Sequence, residues 1–93
     1  MDQETRTGVE VYLGLGTNLG DRWANLAEAV ARLQALPGLR ILGLSSVYET
    51  EPWGLKEQPW FLNLVVHAVW QGSAAALLAA CQQIEAAMGR QRP

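Results

Sequence analysis

The sequence has few of the residues that build covalent or metal-bound frameworks. Its 93 residues include one cysteine and one histidine, which excludes an internal disulfide and argues against a multi-cysteine zinc site or a His-rich metal site. Only 17% of the residues are charged, and seven basic against nine acidic residues give a net charge of −2. This balance argues against binding to nucleic acid or an anionic membrane, because both need clustered positive charge.

Long apolar runs are also missing. No stretch approaches the roughly 20 apolar residues of a membrane span, and the polar start MDQETRTG is neither a signal peptide nor a transit peptide. Apolar residues still make up 49% of the chain, which is enough for one modest hydrophobic core. The composition therefore predicts a small globular domain in the cytoplasm.

Hydrophobic periodicity predicts three strands and two helices in the order β-α-β-β-α. Residues 1–8 are interpreted as a flexible leader, and 9–93 as one domain, because no linker or repeat divides them. The predicted elements are a strand over 9–15, a helix over 21–36 with N-cap Asp21, strands over 40–50 and 60–70, and a last helix between Ser73 and Gly89.

This order indicates how the elements connect. A helix separates the first two strands, which predicts a right-handed crossover, and a loop over 51–59 joins the next two, which predicts an antiparallel pair. Two amphipathic helices fit one face of a three-stranded sheet. We therefore expect an α+β, ferredoxin-like βαββα layer with an antiparallel or mixed sheet, both helices on one face, and the usual final strand missing.

The strand over 60–70 has two different faces, and one of them suits a ligand. Its aliphatic residues should lie under the helices, so Phe61, Asn63 and His67 point to the open face. An aromatic ring two residues from a carboxamide can stack on a flat heterocycle and offer a donor and an acceptor to its edge. The alternative is that Phe61 packs under the preceding loop while Asn63 satisfies a backbone group.

Five side chains have a structural interpretation, and for some of them a chemical one is also open. His67 is expected to be a half-buried packing residue rather than a catalyst. Cys81 lies on the apolar stripe of the last helix, where a buried and inert thiol is the default. Glu85 with Arg90 and Arg92 forms either a solvated helix end or a group whose arginines meet phosphate oxygens.

The glycine-rich turn after the first strand is compatible with a dinucleotide-binding motif. Gly14, Gly16 and Gly20 follow a strand and open a helix, where a phosphate could bind at the helix N-terminus. Leu19 stands where the G-x-G-x-x-G pattern needs its third glycine, and no second βαβ unit follows. A dinucleotide site is therefore the weaker interpretation.

Four segments in order support a different interpretation. They are YLGLGTNLGDR at 12–22, SSVYETEPWG at 45–54, QPWFLN at 58–63, and IExxMGRxR at 84–92. Together they resemble the N-terminal part of the 6-hydroxymethyl-7,8-dihydropterin pyrophosphokinase family of folate biosynthesis. Members of that family transfer diphosphate from ATP to the pterin hydroxymethyl group on a ferredoxin-like fold.

The resemblance also implies roles for residues of this chain. Phe61 would stack on the pterin ring, Asn63 would hydrogen-bond to its edge, and loops at 16–20 and 51–59 would close over the substrates. The other residues implied for the pterin pocket are Thr50, Glu51, Pro52, Trp53 and Gly54. Those implied near the nucleotide are Gln82, Glu85, Arg90 and Arg92.

The sequence departs from the family at the metal site. ATP and Mg²⁺ are implied as cofactors, but the family's Asp-x-Asp pair has no counterpart, because no aspartate follows Asp21. We therefore assign no catalytic residue and expect a truncated chain that is inactive alone. Two alternatives stay open: an interaction module that pairs with itself or a complementing chain through the edge of strand 9–15, or a simple pterin or purine binder.

Overall fold

The computed structural model describes residues 8–54 and 57–89 as a four-stranded antiparallel sheet with two helices. The predicted leader therefore lies, apart from Gly8, outside the described residues. The elements are β1 (Val9–Thr17), α1 (Arg22–Gln34), β2 (Leu39–Leu44), β3 (Tyr48–Thr50), β4 (Phe61–Trp70) and α2 (Ala74–Ala87).

The single strand expected over 40–50 is wrong, because the structure divides it into β2 and β3. At the break, the Ser45 backbone N–H donates to the Val65 carbonyl over 2.9 Å, and the Ser45 hydroxyl accepts from the Val65 N–H over 2.8 Å. A serine hydroxyl can in this way replace a backbone partner and interrupt a regular ladder.

The central strand is β4, which is paired on both sides. Along one edge it pairs with β1, from Val9 opposite Trp70 to Thr17 opposite Leu62. Along the other edge it pairs with β2 and then with β3. Every pair is antiparallel, so β1 and β2 run parallel to each other and are connected through α1.

The hydrophobic core lies between one face of this sheet and the helices. Val66 and Ala68 have no exposed surface, and Leu26 and Leu33 of α1 are buried against the same cluster. The aliphatic face predicted for β4 is therefore confirmed, and Trp70 extends it. The spacing of three and four residues that runs from Trp23 through Leu26 to Leu33 predicts that Trp23 lies on the apolar stripe of α1. It is instead 62% exposed and borders a surface cleft beside β3.

Both helices begin at their predicted N-caps, but they differ in how deeply they are buried. The Asp21 carboxylate accepts from the Ala24 N–H, and the Ser73 hydroxyl accepts from the Ala76 N–H. In α2, Leu77 and Ile84 pack against the core, but no residue of this helix is fully buried. Neither described helix has the length and apolar character needed to cross a membrane.

We expect Leu33→Ala to lower the free energy of unfolding by about 2–5 kcal/mol, because it leaves a cavity under α1. Leu78→Ala is the matched control, since it makes the same change at a helix position that is 60% exposed. Its effect should stay within about 0.5 kcal/mol. Urea denaturation followed by circular dichroism measures both, and equal losses would contradict this description of the core.

Candidate functional site

The carboxamide of Asn63 is held at the open face of the sheet by the neighbouring strand β3. Its Nδ2 donates to the Thr50 hydroxyl over 3.0 Å and to the Tyr48 carbonyl over 3.2 Å, and it has a longer contact of 3.4 Å with the Phe61 carbonyl. An amide nitrogen carries two hydrogens, so these contacts use its donor capacity. Among the described residues, every hydrogen bond of this carboxamide is made by Nδ2, which leaves Oδ1 as an acceptor on a half-buried side chain.

The structure is compatible with both interpretations of Asn63. Its nitrogen satisfies the Tyr48 carbonyl, as the structural interpretation expects, and its oxygen is available to a ligand. The sequence predicted that Asn63 would offer a ligand both a donor and an acceptor, but β3 occupies the donor nitrogen, so only the acceptor oxygen remains.

Gly16 of β1 makes room for the Asn63 side chain. The two residues are opposite each other in the ladder, and a Cβ at Gly16 would lie 2.8 Å from Asn63 Oδ1. Gly14, two residues earlier on the same face, has no atom within 4 Å of such a Cβ. Gly16, one of the glycines that resemble a phosphate-binding turn, thus leaves space for the Asn63 side chain.

The loop between β3 and β4 forms a separate cavity of about 310 Å³. It is lined by four residues that the resemblance assigned to the pterin pocket, Glu51, Pro52, Trp53 and Gly54, together with Trp60. Trp53 is 98% exposed. Thr50 and Phe61 connect this cavity to Asn63, because they pair with each other where the loop leaves the sheet.

The residues expected near a nucleotide lie on the other layer of the molecule. Glu85 lines a cavity of about 330 Å³ between β1, α1 and α2, together with Thr17 and Asn25, and Gln82 is exposed on α2. The structure therefore does not bring them together with Phe61 and Asn63. Arg90 and Arg92 lie outside the described residues.

Cys81 borders the same cavity as Glu85 and is half-buried. Burial raises the pKa of its thiol, and the nearby Glu85 carboxylate raises this pKa further. Both effects disfavour the thiolate, which is the nucleophilic form. Cys81 is thus less buried than expected, and its raised pKa supports the low reactivity expected of it.

His67 packs on the open face as expected for a structural residue. Its ring stacks on Tyr12, with centroids 4.5 Å apart and planes 4° from parallel. Its Nε2 lies 3.4 Å from Glu10 Oε1, but the geometry is not that of a hydrogen bond and the buried Nε2 has no such partner among the described residues.

Sequence patterns missed two residues that link the glycine turn to the loop. Arg22 Nη1 donates to Glu49 Oε2 over 2.9 Å and to the Trp60 carbonyl over 2.7 Å. Asn18 Nδ2 donates to the Pro59 carbonyl over 3.2 Å. Asn18 and Arg22 lie inside the 12–22 segment, but nothing in a linear pattern indicates their partners.

Comparison with known proteins identifies the family. The model of the 7,8-dihydro-6-hydroxymethylpterin-pyrophosphokinase (HPPK) family matches residues 12–93. This chain belongs to the HPPK family. The family predicted from the four segments is thereby confirmed.

Individual relatives agree with the family match. A 2-amino-4-hydroxy-6-hydroxymethyldihydropteridine pyrophosphokinase of Methylorubrum extorquens is 49% identical over 81 residues, which cover 87% of this chain and 51% of the relative. The pyrophosphokinase of the same name from Bacillus subtilis is 41% identical over 81 residues, covering 87% and 48%. The folic acid synthesis protein fol1 of Schizosaccharomyces pombe is 44% identical over 79 residues, covering 85% and 11%. The chain thus spans about half the length of these two pyrophosphokinases.

The described residues of this HPPK-family chain do not fit a magnesium site. Within 8–54 and 57–89, no three His, Cys, Asp or Glu side chains come close enough to hold a metal ion. Mg²⁺ needs oxygen ligands in near-octahedral geometry. No set of these described side chains supplies that coordination.

The pKa of Cys81 gives a prediction for its alkylation. At mildly alkaline pH we expect iodoacetamide to label the folded chain more slowly than a model thiol, because the raised pKa reduces the thiolate fraction. Glu85→Gln should speed the labelling of Cys81, but not to the rate of the model thiol, since burial still opposes ionisation of the thiol. Glu28→Gln on α1 is the control, and a pH–rate profile measures all three. Equal rates for wild type and Glu85→Gln would contradict the assigned cause.

Proposed function

We propose that this chain provides the pterin-binding part of an HPPK, an enzyme that transfers diphosphate from ATP to a hydroxymethyl-dihydropterin. The observation that carries the proposal is the Asn63 carboxamide, which β3 holds on the open face with its oxygen available. Phe61 lies two residues away on the same face of β4. The family match and the relatives named as pyrophosphokinases support the same substrate class.

The chemistry of a pterin fits this arrangement. One edge of the ring carries a ring N–H and an amino group, both donors, next to a carbonyl acceptor. Asn63 Oδ1 can accept from the donor side, and the flat ring can stack on Phe61. The backbone of residues 50–54 would supply groups for the remaining polar positions. Trp53 and Trp60 at the adjoining cavity offer further aromatic surface.

We propose a ferredoxin-like arrangement for the complete domain, with the nucleotide near Gln82, Glu85, Arg90 and Arg92. Support for this placement comes from the glycine turn. Glu85 shares its cavity with Thr17, which directly follows Gly16, the neighbour of Asn63. Glu85 and Asn63 are thus both near the end of β1 at which the glycine turn begins, Glu85 on the helix side and Asn63 on the open face. Since the described residues supply no metal cluster, binding rather than turnover is the appropriate measurement.

Titration with 6-hydroxymethylpterin tests the proposed site. We expect the wild-type chain to bind and Asn63→Ala to weaken binding by about tenfold or more, because it removes the acceptor for the ring edge. Gly16→Ala should weaken binding similarly, since its methyl group would displace the carboxamide. Calorimetry or quenching of tryptophan fluorescence gives the affinities.

Gly14→Ala is the matched control for Gly16→Ala, because both add one methyl group to the same face of β1 and only one of them meets Asn63. Its affinity should equal that of the wild type. Absence of pterin binding by the wild-type chain would refute the proposed function. If Gly14→Ala and Gly16→Ala weakened pterin binding equally, the role assigned to Asn63 would be refuted.

Self-association is a second candidate, favoured by the exposed side of β1. This strand lies at the edge of the described sheet. Beside it is an almost wholly apolar cleft of about 390 Å³ between β1 and α2, lined by Val9, Val11, Leu13, Trp70, Gly72, Ala74, Leu77, Leu78 and Cys81. Unpaired strand edges next to apolar surface are sites of strand addition. We propose that a second copy of the chain pairs here.

We expect Val9→Lys to weaken this self-association by about tenfold or more, because it places a charge in the cleft that the second copy would cover. Val9 is 65% exposed, so the fold should tolerate the change. Leu42→Lys on β2, at the opposite edge, is the control and should have little effect. Sedimentation across a concentration series measures the equilibrium, and a monomer at every concentration would refute the proposal.

A further inference from the structure

The side chain of Arg22 connects three parts of the molecule that the sequence keeps far apart. Arg22 is the first residue of α1, Glu49 lies on β3, and Trp60 directly precedes β4. One nitrogen, Nη1, donates to both the Glu49 carboxylate and the Trp60 carbonyl. Those two acceptors stand on the two ends of the loop whose residues line the 310 Å³ cavity.

The position of Arg22 is not explained by the stability of its helix. The positive end of a helix dipole lies at the N-terminus, so acidic side chains are favourable there and an arginine is not. The first turn of α1 contains no acidic residue. Arg32, by contrast, pairs with Glu28 on the same helix over 2.8 Å, an ordinary pair four residues apart. Arg22 makes its contacts outside the helix.

The contacts lead from Arg22 to the proposed pterin site through β3. Glu49 is opposite Leu62 in the ladder, so its side chain points to the helix face, whereas Tyr48 and Thr50 alternate to the open face. Tyr48 and Thr50 are the residues that accept from Asn63 Nδ2. β3 is only three residues long and all three are exposed, so few other interactions fix its position.

We propose that Arg22 is a positioning residue of the pterin site. It fixes both ends of the loop from the helix side, and β3 in turn orients the Asn63 carboxamide with its oxygen toward the ligand. Arg22 itself does not reach the open face. The inference rests on the proposed pterin function.

The main experiment compares Arg22→Gln with Arg32→Gln, which is the same change on the same helix without a link to the loop. We expect Arg22→Gln to weaken binding of 6-hydroxymethylpterin by about tenfold and Arg32→Gln to leave it unchanged. Glu49→Ala removes the contact from the strand side while keeping α1 intact, so it should weaken binding as well. Arg22→Lys keeps the charge and should recover part of the affinity.

Proteolysis reports on the loop without any ligand. Lys56 is the only lysine of the sequence and stands between β3 and β4 in the sequence, so endoproteinase Lys-C has a single cleavage site. Arg22→Gln and Glu49→Ala should accelerate this cleavage several-fold under conditions where urea denaturation shows each variant to be folded. Arg32→Gln should not. A role limited to helix stability would change the unfolding free energy without this selective effect.

The outcomes separate the two proposals. If the wild-type chain binds the pterin and Arg22→Gln binds it equally well, the positioning role is refuted while the proposed function stands. If Arg22→Gln loses affinity but cleavage at Lys56 is unchanged, the route through the loop is refuted. If the wild-type chain does not bind, the proposed function fails and the positioning role fails with it.

Discussion

The pairing of β4 on both of its edges is the constraint on which the rest of the structure depends. Because side chains of a strand alternate between faces, one ten-residue strand supplies the buried centre of the core and the ligand-facing groups at the same time. Leu62 and Leu64 flank Asn63 in the sequence, and their side chains lie under the helices, with 3% and 5% exposure. A shift of one residue in register would exchange these faces and remove both the core and the site.

The two edges of β4 are paired to different extents, and this difference explains which parts of the sheet are well fixed. β1 pairs with β4 over nine residues, whereas β3 pairs over three. The nine-residue ladder fixes Gly16 against Asn63 regardless of the loop. The short ladder of β3 cannot by itself define the position of Tyr48 and Thr50, so side-chain contacts from outside the sheet have to contribute. Arg22 supplies such a contact through Glu49 of β3, while Arg22 and Asn18 also bond to the other end of the loop at Trp60 and Pro59.

Sequence patterns predicted the parts of the molecule that repeat with a fixed period. The alternation in β4 placed Phe61 and Asn63 on the open face, and the caps at Asp21 and Ser73 located the helix starts. The division between β2 and β3 was missed, because it depends on one hydroxyl of Ser45 that bonds to Val65. Trp23 was misplaced because its spacing fits the apolar stripe of α1 while the core begins one turn later, at Leu26. Arg22 was missed because its partners lie 27 and 38 residues away.

An exposed ion pair contributes little to stability, because water screens it and ordering two side chains costs entropy. Arg22 and Glu49 are partly exposed, with side-chain exposures of 27% and 49%, so their value to the fold alone is small. Their value to a binding site is of another kind. Orientation of a single carboxamide decides whether a donor or an acceptor meets the ligand, and a weak contact at both ends of a loop is enough to select one orientation. The proposed pterin site thus depends on the core and the register of β4 for the position of Asn63, and on a polar contact at the surface for the orientation of its carboxamide.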